Sequence, residues 1–191
     1  MNRIAALRTV VKGAGLALGT VLTAAAAPLI LPPGIAYAAA PTMCLDIGAT
    51  RNNGDAAKIW QCAVPGDAFV VNQKFAIDGG QIKVANTLGT SRPMCLDIGN
   101  TRNNGDGAKI WQCAKAADAY LVNQKFVIEH GQIRVADTLG TSRPMCLDIG
   151  NTRNNGDGAK IWQCANAADT FLYNQRFVIE HSMIKVADTL H

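Results

Sequence analysis

The chain has 191 residues, 18 of them Lys or Arg and 14 Asp or Glu, for a formal charge of +4. That length provides one domain with a short extension. Three of the basic residues and none of the acidic ones lie in the first 38, so the remainder carries fifteen against fourteen, or +1, with no basic run of five or more. A nucleic acid or an anionic membrane surface needs a positive footprint, and neither is an expected partner.

Residues 1–38 read as a secretory signal. Arg3, Arg8 and Lys12 form a basic start, an apolar run extends from Ala14 to Leu31, and Ala36-Tyr37-Ala38 has the small-x-small form of a cleavage site. Pro28, Pro32 and Pro33 interrupt the apolar run and disfavour a spanning helix. An uncleaved membrane anchor is the competing reading. The expectation is export by the general route, since no Arg-Arg pair is present, with no membrane insertion once the signal is removed.

From about residue 42 onward the chain repeats itself. Cys44-Leu45-Asp46, Cys95-Leu96-Asp97 and Cys146-Leu147-Asp148 open three copies, about 42–92, 93–143 and 144–191, with a period of 51 residues. Copies two and three differ at nine positions, among them Lys115/Asn166, Tyr120/Phe171 and Lys125/Arg176. Copy one diverges further, with Ala49 in place of Asn100 and Asn151, and Asp78-Gly79 in place of Glu129-His130 and Glu180-His181. A period of this size points to a repeat architecture.

Within copy two the elements are strands. Cys95 to Ile98 alternates, with Leu96 and Ile98 on one face. Gly99 to Gly107 is a turn rich in Asn, Gly and Asp. Lys109-Ile110-Trp111 alternates again, placing Ile110 inward and Lys109 and Trp111 outward. Ala114 to Asn123 connects to a strand at Phe126-Val127-Ile128, and Glu129-His130-Gly131 turns into a fourth at Ile133-Arg134-Val135. Leu96, Ile98, Ile110, Phe126, Ile128 and Ile133, with their equivalents, are the expected core.

The six cysteines fall two to a copy, 18 residues apart: Cys44 and Cys62, Cys95 and Cys113, Cys146 and Cys164. Pairing within copies is the simplest arrangement that respects the repeat, and an exported chain permits it. Thiolate zinc sites favour closely spaced pairs instead, so no metal is expected. Four short strands cannot bury a core alone. Twelve can, and propellers typically need four or more blades while solenoids carry atypical caps. The expected fold is all-β: a closed β-trefoil of three four-stranded repeats in a domain spanning 39–191.

The order Cys-Leu-Asp, Trp-x-Cys, Asn-Gln-x-aromatic resembles the ricin-B-type β-trefoil lectins, across all three copies. The family's Gln-x-Trp triplet appears as Gln73-Lys74-Phe75, Gln124-Lys125-Phe126 and Gln175-Arg176-Phe177, with Phe at the core aromatic. The resemblance implies sugar sites at Asp46, Trp60, Asn72 and Gln73; at Asp97, Trp111, Asn123 and Gln124; and at Asp148, Trp162, Asn174 and Gln175. Asp accepts sugar hydroxyls, Trp stacks on the ring, Asn adds a polar contact, and Gln supports it. Lys58, Lys109 and Lys160 stand where the family often places a sugar-contacting Gln. The implied partner is a carbohydrate of galactose, mannose or xylan type.

Competing roles exist for these residues. Asp and Asn are common turn residues. Asp97, Gly99 and Asn103 to Asp106 have the composition of a calcium loop without its alternating acids or closing Glu. No nucleophile elbow, zinc-protease or phosphate-loop motif occurs, so neither an enzyme nor a cofactor is expected. A glycosidase would need two carboxylates around one sugar, for which Asp97 and Asp106 are the nearest pair in a copy. A protease-inhibiting or structural trefoil is the other alternative. On the sugar-site reading, replacing Asp97 and its equivalents by Ala abolishes binding and spares the fold.

Overall fold

The computed structural model describes residues 39–191; the expected signal segment lies outside the described residues. Each copy yields four strands of four residues. They are β1 (Met43–Asp46), β2 (Lys58–Gln61), β3 (Phe75–Asp78) and β4 (Gln81–Val84) in copy one; β5 (Met94–Asp97), β6 (Lys109–Gln112), β7 (Phe126–Glu129) and β8 (Gln132–Val135) in copy two; and β9 (Met145–Asp148), β10 (Lys160–Gln163), β11 (Phe177–Glu180) and β12 (Met183–Val186) in copy three. All the pairings are antiparallel.

The sheets do not coincide with the copies. Their orders are β3-β4-β5-β6, β7-β8-β9-β10 and β11-β12-β1-β2. Each joins the last hairpin of one copy to the first hairpin of the next, and the third closes the ring by pairing Cys44 with Lys185. Closure pairs the last copy with the first, so no copy is left terminal, although each sheet keeps its own edge strands. Short bridges then link one sheet to another, at Ala56 with Lys109, Gly107 with Lys160 and Lys58 with Gly158.

A buried threonine reinforces each junction. The Thr87 hydroxyl donates to Val84 O (2.8 Å) and accepts from Met94 N (2.9 Å). Thr138 does the same for Met145, and Thr189 for Met43. The last copy is thereby tied to the first by the same device that ties neighbours in sequence.

The core is a single cluster in which Leu45, Ile59 and Ile82 are fully buried, as are their counterparts Leu96, Ile110 and Ile133. Phe75, Phe126 and Phe177 are buried as expected, each 4% exposed. Ile128 departs from expectation: it and its equivalents Ile77 and Ile179 are 39–42% exposed. In register Ile128 sits opposite Ile133, so it shares the inward face. However, β7 is the edge strand of its sheet, and only its first residue is covered, where Phe126 N donates to Gly80 O of the preceding hairpin (2.8 Å). The far end of the hairpin runs out beyond the core.

The three disulfides form within copies, Cys44–Cys62, Cys95–Cys113 and Cys146–Cys164. Each fastens the first strand of a copy to the residue that follows the second strand.

Candidate functional site

The first two strands of each copy present Asp and Trp on one side. In register Asp97 faces Lys109, and Cys95 faces Trp111, with Leu96 and Ile110 opposed on the other side. Since side chains alternate along a strand, burial of Leu96 and Ile110 turns Asp97, Lys109 and Trp111 to the outer face. The tryptophans are exposed as expected, Trp60 and Trp111 by 42% and Trp162 by 43%.

The aspartates are placed differently. Asp46, Asp97 and Asp148 are only 4–5% exposed. They lie on the outer face, and Asp46 and Asp148 line clefts. Asp97 Oδ1 accepts from Gly99 N (2.7 Å), and Oδ2 accepts from Gln124 Nε2 (3.1 Å). The turn role and the support by Gln are thus both present. A carboxylate offers about four acceptor sites, so each Asp retains capacity towards the cleft. Asn72, Asn123 and Asn174 are likewise buried rather than facing freely outward.

Gln124 lies beneath the Asp and is fully buried. Its Nε2 also donates to Gln112 O (3.0 Å), while Oε1 accepts from Ala114 N (2.8 Å) and Gln81 Nε2 (3.0 Å). Gln175 repeats this with Gln132, whereas in copy one Met183 occupies the corresponding place behind Gln73. The glutamines are anchors that hold the Asp from behind.

Each Lys bends over its own Trp. Lys58 Nζ lies 5.2 Å from the Trp60 ring centroid, and Lys109 and Lys160 lie 5.5 Å from theirs. This is cation–π range. The turn glycine beside the Asp makes the space. Gly99 has φ +70°, and a Cβ there would come within 3.3 Å of Lys109 Nζ.

Two further constituents had no assigned role on sequence, although the loop Arg102 to Asp106 is one that the sequence places at the rim of the site. The first is Arg51, with Arg102 and Arg153. Arg102 donates to Gly99 O (2.8 Å), to Asn123 Oδ1 (3.2 Å) and to both carboxylate oxygens of Asp137 (3.1 and 2.9 Å). It therefore locks the Asp turn to the Asn. The second is an aromatic opposite the Trp. Phe69 and Trp60 line the first cleft, and Phe171 and Trp162 the third, with Tyr120 at the matching position in copy two. The sequence signal was an Arg in all three copies, and an aromatic three residues before each Asn. These were passed over because one lay in a turn and the other in a connection.

The Asn-rich loop packs onto the next copy. Gly54 N donates to Ile110 O (2.8 Å), and Asn53 Oδ1 accepts from Gln112 N (2.8 Å). The edge of the Trp111 ring lies 3.8 Å from where a Cβ on Gly54 would sit. Copy two relates to copy three in the same way, and copy three to copy one. Each Trp is thus backed by a loop from the preceding copy. The calcium-like side chains have structural work here: Asp106 Oδ2 accepts from Asn103 N (2.7 Å) and Asn104 Oδ1 from Gln163 N (2.8 Å). Among the described residues no group of three or more His, Cys, Asp or Glu is placed to hold a metal.

A family model of the ricin-type β-trefoil lectin domain matches residues 88–188, more than half of the chain. The chain belongs to the ricin-type β-trefoil lectin domain family. No curated protein sequence matches it. Membership in this lectin family suggests carbohydrate binding, and the domain's three disulfides are consistent with an extracellular protein.

Proposed function

We propose that this protein is a secreted lectin that binds glycans or polysaccharide through three related shallow clefts and carries out no covalent chemistry. The observation that supports this best is the recurrence in each copy of one arrangement: a carboxylate held from behind by Gln, an Asn oriented by Arg, and an exposed Trp. A pyranose has an apolar C–H patch for the Trp and a rim of hydroxyls for the other two. Carboxylate–hydroxyl bonds are charge-assisted and strong for their kind. Disulfides and packed loops set the geometry before the ligand arrives, which lowers the ordering cost of binding.

Shallow single sites bind weakly. Three on one rigid body gain avidity on repeated or branched glycans where the spacing permits simultaneous engagement. Galactose-, mannose- and xylan-type ligands all offer the required hydroxyls. A glycan array probed with the protein and with a W60A/W111A/W162A variant tests the proposal. The expected outcome is glycan binding that the variant loses while keeping its β-type circular dichroism. Equal binding by both proteins would contradict it, as would none by either.

A further inference from the structure

Of the substitutions that separate the first cleft from the others, among them Val64 against Lys115 and Asn166, two bear on its Asn. Asn100 and Asn151 stand at the rim of copies two and three, where each accepts a 2.6 Å bond from the amide nitrogen of Asn123 or Asn174. Copy one has Ala49 there. Asp137 and Asp188 neutralise Arg102 and Arg153 through ion pairs at 2.9 Å. Copy one has Asn86 instead, which accepts from Arg51 Nε at 3.2 Å and carries no charge.

These differences bear on the same amide. Arg51 donates to Asn72 at 3.0 Å, and because an arginine only donates, the atom it meets is the amide oxygen. The nitrogen therefore faces away from Arg51. In copies two and three one of its two N–H groups is already spent on the neighbouring Asn. In copy one Ala49 accepts nothing, so Asn72 keeps both. Arg51 also lacks a carboxylate partner of its own at Asn86. Less of its charge is compensated, and hydrogen bonds in a chain polarise one another, which strengthens Asn72 as a donor. The space agrees: the cleft lined by Ala49, Trp60 and Phe69 has a volume of about 500 Å³, against about 210 Å³ for the one lined by Asn151, Trp162 and Phe171.

We infer that the three clefts are unequal, that the first is the principal saccharide site, and that Ala49 and Asn86 determine this. The inference rests on reading the clefts as sugar sites. The ligand suited to the first cleft presents two oxygens as acceptors to Asn72 while donating a hydroxyl to Asp46. The second and third clefts, partly satisfied from within, bind the same saccharide more weakly.

The test is calorimetric titration of the full chain with xylohexaose, lactose, methyl α-mannoside and the strongest ligand from the glycan array, alongside A49N, N100A and the three single Trp→Ala variants. Asn already occupies the matching position in both other copies, so A49N keeps the fold. With any saccharide that binds, A49N is expected to weaken the tightest phase about three- to tenfold, the worth of one net hydrogen bond. N100A is expected to strengthen a weaker phase, and W60A to remove more of the binding heat than W111A or W162A. An unchanged affinity in A49N, or equal losses from the three Trp variants, would overturn the inference while leaving the lectin reading intact. A chain that binds none of these saccharides and no glycan on the array overturns the lectin reading itself, and the inference with it.

Discussion

Asp97 serves two structures at once. One oxygen closes the turn at Gly99 and the other holds Gln124. Removing the carboxylate strips a buried Gln of one of its partners, and a buried donor left unpaired costs about 1–3 kcal/mol. Ala at this position is therefore expected to lower the stability of the fold as well as to remove a ligand contact. In denaturant titration D97A should lose about 1–3 kcal/mol of unfolding free energy relative to the parent, in addition to losing ligand. Trp111 is the cleaner probe, because it is half exposed and contributes to no core contact on the inward face. The distinction matters for any mutational test of this site, since loss of binding in an Asp variant reports on both roles.

The second hairpin of each copy shows what alternation does and does not determine. Ile110 and Trp111 separate on sequence because consecutive strand residues face opposite sides; β6 is also an edge strand, but the loop of the preceding copy covers it, with Gly54 N donating to Ile110 O and Ile110 N to Asp55 O. Ile128 is misjudged by the same logic. Alternation says which side a residue faces, not whether anything lies on that side, and beyond Phe126 the residues of β7 run out past the core. The turn in this hairpin was legible from Glu129-His130-Gly131, but its backbone was not. His130 and Gly131 both take positive φ, 51° and 79°, the pattern of a tight two-residue hairpin turn. In copy three the pair is His181 and Ser182, at 50° and 63°. A side chain at positive φ costs roughly 1–2 kcal/mol relative to glycine, and Gly131 occupies the position of Ser182 in copy two. S182G should therefore raise the melting temperature by about 2–4 °C per kcal/mol relieved, measured by thermal denaturation followed by circular dichroism.

At the scale of the whole molecule, the threefold repeat, the twelve strands and the cysteine pairing could be read from the sequence, because each is a pattern along the chain. How the copies share sheets could not. That depends on contacts between residues with no pattern in common, such as Thr189 with Met43 or Gly54 with the Trp111 strand. The role of the Arg that orients each Asn was illegible for a similar reason, since its partners lie 21 and 35 positions away. Closure also has a consequence for the ends of the 39–191 domain. Thr42 Oγ1 donates to Thr189 O at 3.1 Å, so joining the two ends needs little linker. A circular permutant of the 39–191 domain, opened in the exposed segment Thr90–Arg92, should fold with the same three disulfides, as mapped by peptide mass spectrometry. Scrambled pairing would show that closure depends on the native order of the copies.

The chain contains three tryptophans, and all three lie at the proposed clefts. Intrinsic fluorescence therefore reports on these sites without a label. Titration with the best ligand from a glycan array should shift or quench tryptophan emission along a saturable curve, with the response reduced in W60A more than in W111A or W162A. Saturable binding of that glycan with no change in tryptophan emission would place the sugar elsewhere on the molecule and contradict the account.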